Sequence, residues 1–261
     1  MRDRRLLPLD ADPGRLLPDR VPRPEQHPVA LPTSRLSPVD RATLAGPTLE
    51  AGQALLGARL VRDDDTGRRV GRVVEVEAYI GQDDRASHAR FGETGRNRVM
   101  FGPPGRAYVY LVYGMYDCLN VVTEPEGSPA ALLIRAVEPL EGVDVMRRAR
   151  IGHDAARFRG RDPARDSLAA ARLMAVPGHR LASGPGLVGA AFGLDPSWTG
   201  VDLCDPASPL RLETAPAIET APPIRATRRI GIDGAGAPWT EVPWRLCLAG
   251  HPSVSGPAWA R

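Results

Sequence analysis

Apolar positions in the middle of the chain recur with a period of two over several short runs, which predicts strands there rather than helices. Arg59 to Arg62 and Arg72 to Ile80 form the first pair, joined by an Asp-rich turn that ends at Gly67. In the second run Val74, Val76 and Ala78 point to one face, while Glu75, Glu77 and Tyr79 point to the other. The expectation is one core face and one polar face, with two acids beside an aromatic. A Gly- and Arg-rich connection over 81–106 leads to a strand from Ala107 to Tyr113, and Gly114-Met115 turns it back into Tyr116 to Thr123, a β-hairpin. Ala130 to Val137 is an apolar strand with one charge, Arg135. Helical signals surround these runs. Thr48 is a suitable N-cap for a helix through Leu49, Leu55 and Leu56 that Gly57 ends, and Leu140 to Ala149 reads as helical. Asp162 followed by Pro163 starts a helix to Ala175, and Ser183 starts another that Gly193 stops. Short strands near Ile224 to Ile230 and Val242 to Leu248 complete the pattern. Strands flank helices without a βαβ rhythm. The predicted fold class is therefore α+β: a single domain with a mixed, mainly antiparallel curved sheet, a protruding β-hairpin and surrounding helices.

Composition fits one ordinary globular domain, with 43% hydrophobic and 25% charged residues in 261. No apolar run approaches the roughly 18 residues of a membrane helix. Pro8, Asp10, Asp12, Pro13 and Arg15 interrupt the segment after Met1, so no secretory apolar region forms and a cytoplasmic location is expected. Residues 1–41 hold eight prolines, and no aromatic precedes Tyr79. Residues 1–45 are therefore expected to be a disordered or loosely packed Pro/Arg-rich arm, and 46–261 the functional domain. Cys118, Cys204 and Cys247 are too few for a four-thiolate centre and read as buried apolar fillers, while the five histidines show no ligand spacing, so no metal is expected. The net charge of +3 conceals a sharper feature: the sequence contains no lysine, and all 34 basic residues are arginine. A Walker loop, a pyridoxal Schiff base and a lysine nucleophile are thereby excluded.

Four of the five tyrosines, Tyr108, Tyr110, Tyr113 and Tyr116, fall within nine residues around the hairpin turn. Tyr113, next to the tip, is a candidate wedge for nucleic acid, because aromatic faces stack on unpaired bases and aromatic or apolar wedges hold a duplex open. Glu77 and His88 can supply a water-activating base and a hydrogen-bond donor. Glu75 and Glu77 also suggest glycosidic hydrolysis. Lying two residues and roughly 6.6 Å apart on one strand, however, they do not flank a bond from opposite sides, so one acid works and the other supports it.

These residues belong to an ordered series of blocks. Val74-Glu75-Val76-Glu77-Ala78-Tyr79-Ile80-Gly81, Asp84 to His88, Arg96-Asn97-Arg98-Val99-Met100-Phe101-Gly102, Tyr108-Val109-Tyr110, Tyr113-Gly114-Met115, Asn120, Ile134-Arg135-Ala136 and Glu138-Pro139 follow one another, and Arg228 to Gly231 and Pro252 to Gly256 end the series. Over about residues 48 to 256 the chain resembles the alkyladenine (3-methyladenine) DNA glycosylase family. The resemblance implies a monofunctional, cofactor- and metal-free enzyme of base excision repair, a nucleoid-associated monomer acting on double-stranded DNA containing damaged purines. It would flip the damaged purine into a pocket and hydrolyse its N-glycosidic bond. By the same resemblance Glu77 is the general base, Arg135 positions it, and Tyr79, His88 and Tyr110 wall the base pocket. Asn120 crowds a guanine 2-amino group, and Tyr113 and Met115 intercalate into the DNA. A cationic alkylated base suits π-rich walls and leaves readily. Gly95, where relatives often have Pro, and Leu187, where they often have Lys, depart from the pattern and bear on DNA affinity. The rival expectation is a non-catalytic, structure-selective nucleic-acid-binding module. Glu77 speaks against it, since a pure binder gains nothing from an acid near phosphates.

Overall fold

A computed structural model describes residues 36–157, 163–214 and 222–256. Of the arm expected over residues 1–45, the first 35 residues lie outside the described residues, as does the expected cap Asp162. Residues 36–45 pack into the fold: Pro38 bridges to Glu213, and Val39 and Leu44 are buried.

In chain order the elements are α1 (Arg41–Ala45), α2 (Thr48–Leu55), β1 (Arg59–Arg62), β2 (Arg69–Ile80), β3 (Ala107–Val112), β4 (Tyr116–Val122), β5 (Ala130–Glu141), α3 (Val143–Arg157), α4 (Pro163–Met174), α5 (Pro185–Phe192), β6 (Leu210–Glu213), β7 (Ile224–Thr227) and β8 (Arg245–Leu248). Every strand pairing is antiparallel, in the order β3-β4-β5-β2-β1-β6, with β8 joining β2 to β7. This is the expected α+β class, with helices around an antiparallel sheet.

Strand β2 organises the molecule. Along one edge it pairs with β5. Along the other it pairs first with β1, over Arg69 to Arg72, and then with β8, over Glu75 to Glu77. Register shifts on either side of Glu75 break the ladder with β5, as a β-bulge does, and re-aim the side chains at that point. The apolar side of β2, through Val73, Val76 and Ala78, joins a core that includes Leu55, Leu132, Ile134 and Phe192.

Several boundaries differ from the sequence expectation, α5 starting at Pro185 instead of Ser183 among them, and two differ for a reason visible in the contacts. Thr48 is the first helical residue of α2, not its cap, because its hydroxyl bonds Thr123 and Glu124 at 3.0 and 2.6 Å instead of the helix's own amides. The helix expected from Leu140 begins at Val143, because β5 stays paired with β2 as far as Glu141, across a register shift that skips Leu140. The end of α5 is as expected, with Gly193 in the left-handed conformation. Helix α5 also lies very close to the hairpin: a Cβ on Gly189 would stand 1.9 Å from the Asp117 carbonyl oxygen, so only glycine fits there.

Candidate active site

The face of β2 that carries the acids is not exposed, contrary to the alternation-based expectation of a polar face. Glu75 and Glu77 are both wholly buried, because β8 and the chain segments around Ile230 and Ser255 close over them. Burying two carboxylates is tolerable only with matching cations and donors. Arg135 from β5 and Arg245 from β8 supply the two charges.

The two acids are held differently. Glu75 Oε1 accepts from Arg135 Nε at 3.0 Å, from Arg245 Nε at 2.6 Å and from the Ser255 hydroxyl at 3.0 Å, while Oε2 accepts from the Ser255 amide at 2.6 Å. Its Oε1 is filled by three donors, and the carboxylate anchors two arginines. Glu77 Oε1 faces Arg135 Nη1 at 3.2 Å and accepts from the Ile230 amide at 2.8 Å, whereas Oε2 receives only the Tyr79 hydroxyl, at 3.0 Å. Oε2 therefore keeps acceptor capacity for a water. Arg135 spans both acids with one guanidinium. Burial works against its charge, but Glu77 and Glu75 outweigh that and raise its pKa. Burial, reinforced by the Glu77 charge, drives the Tyr79 phenol well above its ordinary pKa, so it remains a donor to the carboxylate.

Above this pair opens a cleft of about 570 Å³, lined by Tyr79, His88, Tyr110, Tyr113, Cys118 and Arg135 among others. His88 bonds the Tyr108 hydroxyl through Nδ1 at 2.9 Å and meets the Tyr110 ring edge-on, with centroids 4.3 Å apart. Part of the imidazole reaches solvent, yet burial, then the Arg96 and Arg90 charges, lower its pKa to about 4. Asn120 is buried, and its Nδ2 donates to the Tyr108 carbonyl at 3.0 Å, which fixes the amide plane. It lines an inner cavity of about 20 Å³ with Tyr79, His88, Tyr108 and Tyr110, room for roughly one water. A flat base between two rings needs about 7 Å, twice the van der Waals spacing, so His88 and Tyr110 must separate to admit one.

Most of the site residues expected from the sequence meet in this region, whereas Tyr116 stacks on His153 outside it. Glu77, Tyr79, His88, Tyr110, Asn120 and Arg135 come together, with Glu77 beneath the cleft. Tyr113 and Met115 lie on the hairpin turn, exposed at 86% and 43%. Sequence reasoning missed Arg245, Ser255 and the Ile230 amide, which complete the acid pair, and Arg229. Buried Arg229 grips Asp84 through both terminal nitrogens, at 2.6 and 2.8 Å, and lies 4.7 Å from the Tyr79 ring centre, holding the 228–231 segment in place. Ile230, Arg229 and Ser255 lay in blocks that carried the resemblance but no role, Arg228 to Gly231 and Pro252 to Gly256; Arg245 had no signal. Among the described residues no group of three or more His, Cys, Asp or Glu is arranged to hold a metal, and no helix is long and apolar enough to cross a membrane.

The methylpurine-DNA glycosylase family model matches residues 42–252. Relatives that carry 3-methyladenine DNA glycosylase in their names include proteins of Methanocella arvoryzae, 44% identical over 80% of this chain and 91% of the relative, and of Myxococcus xanthus, 42% identical over 81% and 90%. A Bacillus cereus protein so named is 40% identical over 80% of this chain and 95% of its own length. With a family model covering most of the sequence and relatives at 40% identity or more along nearly their whole length, the chain belongs to the methylpurine-DNA glycosylase family.

Proposed function

We propose that the protein excises 3-methyladenine-type purines from double-stranded DNA by flipping the nucleotide into the aromatic cleft and hydrolysing its N-glycosidic bond with a water activated by Glu77. The observation that carries this reading is the buried Glu77–Arg135 pair directly beneath the cleft, with one carboxylate oxygen still able to accept a proton. The flipped base enters between His88 and Tyr110, where π faces favour a cation over a neutral ring. A water on Glu77 Oε2 adds to C1′ as the C1′–N bond breaks; its proton passes to the carboxylate, and the bonding electrons neutralise the positive base. The base leaves uncharged, so no strong acid is required opposite Glu77. Neutral His88 and the neutral Tyr79 hydroxyl line the pocket without repelling that cation. Asn120, its amide pinned, stands where a 2-amino group would crowd it and disfavours guanine-type bases. Tyr113 and Met115 at the hairpin tip fill the gap left in the duplex. The catalytic unit, expected over residues 46–261, also takes in 36–45, which pack into the fold, and works as a monomer at the nucleoid.

Glu77→Gln keeps the shape and removes the base. Single-turnover release of 3-methyladenine is expected to fall by at least about a hundredfold while affinity for lesion-containing duplex is kept or increased. Release at near the wild-type rate would eliminate Glu77 as the base, and with it the preference over a non-catalytic binding module.

A further inference from the structure

A second aromatic side chain stands beside the cleft. Phe91 ends the short 3-10 turn His88–Phe91 and is 80% exposed, an unusual setting for a large apolar ring. Its backbone is clamped on both sides. Ser87 caps the turn by accepting from the Ala89 amide at 3.1 Å, and the buried Asn97 donates through Nδ2 to the carbonyls of His88 and Gly92, at 2.8 and 3.0 Å. The ring is therefore presented from a fixed base. The Arg90 guanidinium lies 4.4 Å from its centroid and covers one face. Phe91 and Tyr113 line one cleft of about 530 Å³ together with His88 and the cations Arg85, Arg90 and Arg96, and no carboxylate is among the described residues lining it. His88 and Tyr108 line both this cleft and the inner cavity, so the two adjoin.

We propose that Phe91 is a second DNA-engaging aromatic, which stacks on the base flanking the flipped nucleotide on the same strand while Arg85, Arg90 and Arg96 hold the phosphates of that stretch. The charge of the cleft selects a polyanion. Its open phenyl face selects a flat partner, and a base partly unstacked by the neighbouring wedge offers one. The inference rests on the base-flipping reading and extends it from one wedge to two aromatic contacts.

The test uses duplexes with a tetrahydrofuran abasic analogue, which cannot be hydrolysed, and 2-aminopurine as a fluorescent base on one flank or the other. Phe91→Ala, shown folded by an unchanged thermal melt, is expected to bind this duplex about tenfold more weakly and to lose the bound-state fluorescence change at one flank. Phe91→Trp restores both, and Phe91→Leu does not restore the fluorescence. Binding within about twofold of wild type overturns the proposal. So does weaker binding with the fluorescence change intact, which would place the ring against sugar or phosphate. If the wild type prefers the analogue over undamaged duplex and Phe91→Ala is silent, only this inference fails. If the wild type shows no such preference, base flipping fails, and this inference with it.

Discussion

The imidazole of His88 shows how a single residue's surroundings set its chemistry. Its pKa falls from the ordinary 6.5 to about 4 because burial, then Arg96 and Arg90, penalise the cation. Between those values the folded protein binds fewer protons than the unfolded chain, so this group's contribution to stability is complete above 6.5 and declines as pH falls toward 4. An NMR titration of the His88 ring is expected to give a midpoint near 4, with no inflection from His88 in the excision rate near 6.5; a ring titrating at the ordinary value would remove its role as a neutral pocket wall. The type and position of this residue were legible in the sequence as part of a block. Its contacts with Tyr108 and Tyr110 were not, because they depend on how the long 81–106 connection folds back over the sheet. Glu75 and Glu77 illustrate the same limit. The spacing showed that one acid supports the other, but Glu75 is occupied by Arg245 and Ser255, 170 and 180 residues away along the chain, beyond the reach of any local pattern.

Among the elements, the hairpin of β3 and β4 has a feature that pairing alone does not require. Tyr113 and Gly114 both take positive φ, 50° and 67°, as in a type I′ turn, and the Met115 amide closes it onto the Val112 carbonyl at 3.0 Å. Glycine is comfortable there, whereas a tyrosine pays roughly 1 to 2 kcal/mol of backbone strain, which fits a tip where the ring is needed outside the fold. Comparing Tyr113→Gly with Tyr113→Ala separates the two effects. Both should weaken capture of an extrahelical nucleotide by about 1 to 3 kcal/mol, but only the glycine variant should melt at a temperature equal to or above wild type. Equal losses of affinity on damaged and undamaged duplex would make Tyr113 a general contact instead of a wedge. The hairpin itself was legible from two apolar runs around a glycine, but its turn was expected one residue late, at Gly114-Met115, whereas β3 ends at Val112 and Tyr113-Gly114 are the central residues. The acid face of β2 misled because alternating charge ordinarily signals water on one side; here two arginines from separate strands replace the water. The start of α3 was misplaced for a related reason, since an apolar stretch continues a strand for as long as a neighbour is in register.

Across the whole molecule the absence of lysine becomes a mechanistic constraint. Glycosylases that also cut the strand do so through an imine between an enzyme amine and C1′. Arginine, with a pKa above about 12, does not form one. The expected product is an intact abasic strand, cleaved only after alkali, with no borohydride-trapped covalent complex from protein lacking residues 1–35, which keeps the packed α1 segment, beyond what its terminal amine gives in an unrelated control. Trapping above that level would displace water as the nucleophile. The overall architecture was legible because strand period, turn residues and helix stops agree with one another. What sequence could not supply was closure: the acids lie on β2, but the groups that make their burial tolerable, the Ile230 amide, Arg245 and Ser255, belong to the last part of the described chain. A nascent chain that has emerged only as far as the hairpin and β5 therefore carries Glu75 and Glu77 in an unfinished shell. Their burial waits until translation has brought out Ile230, Arg245 and Ser255, 153 residues or more after the acids they bond.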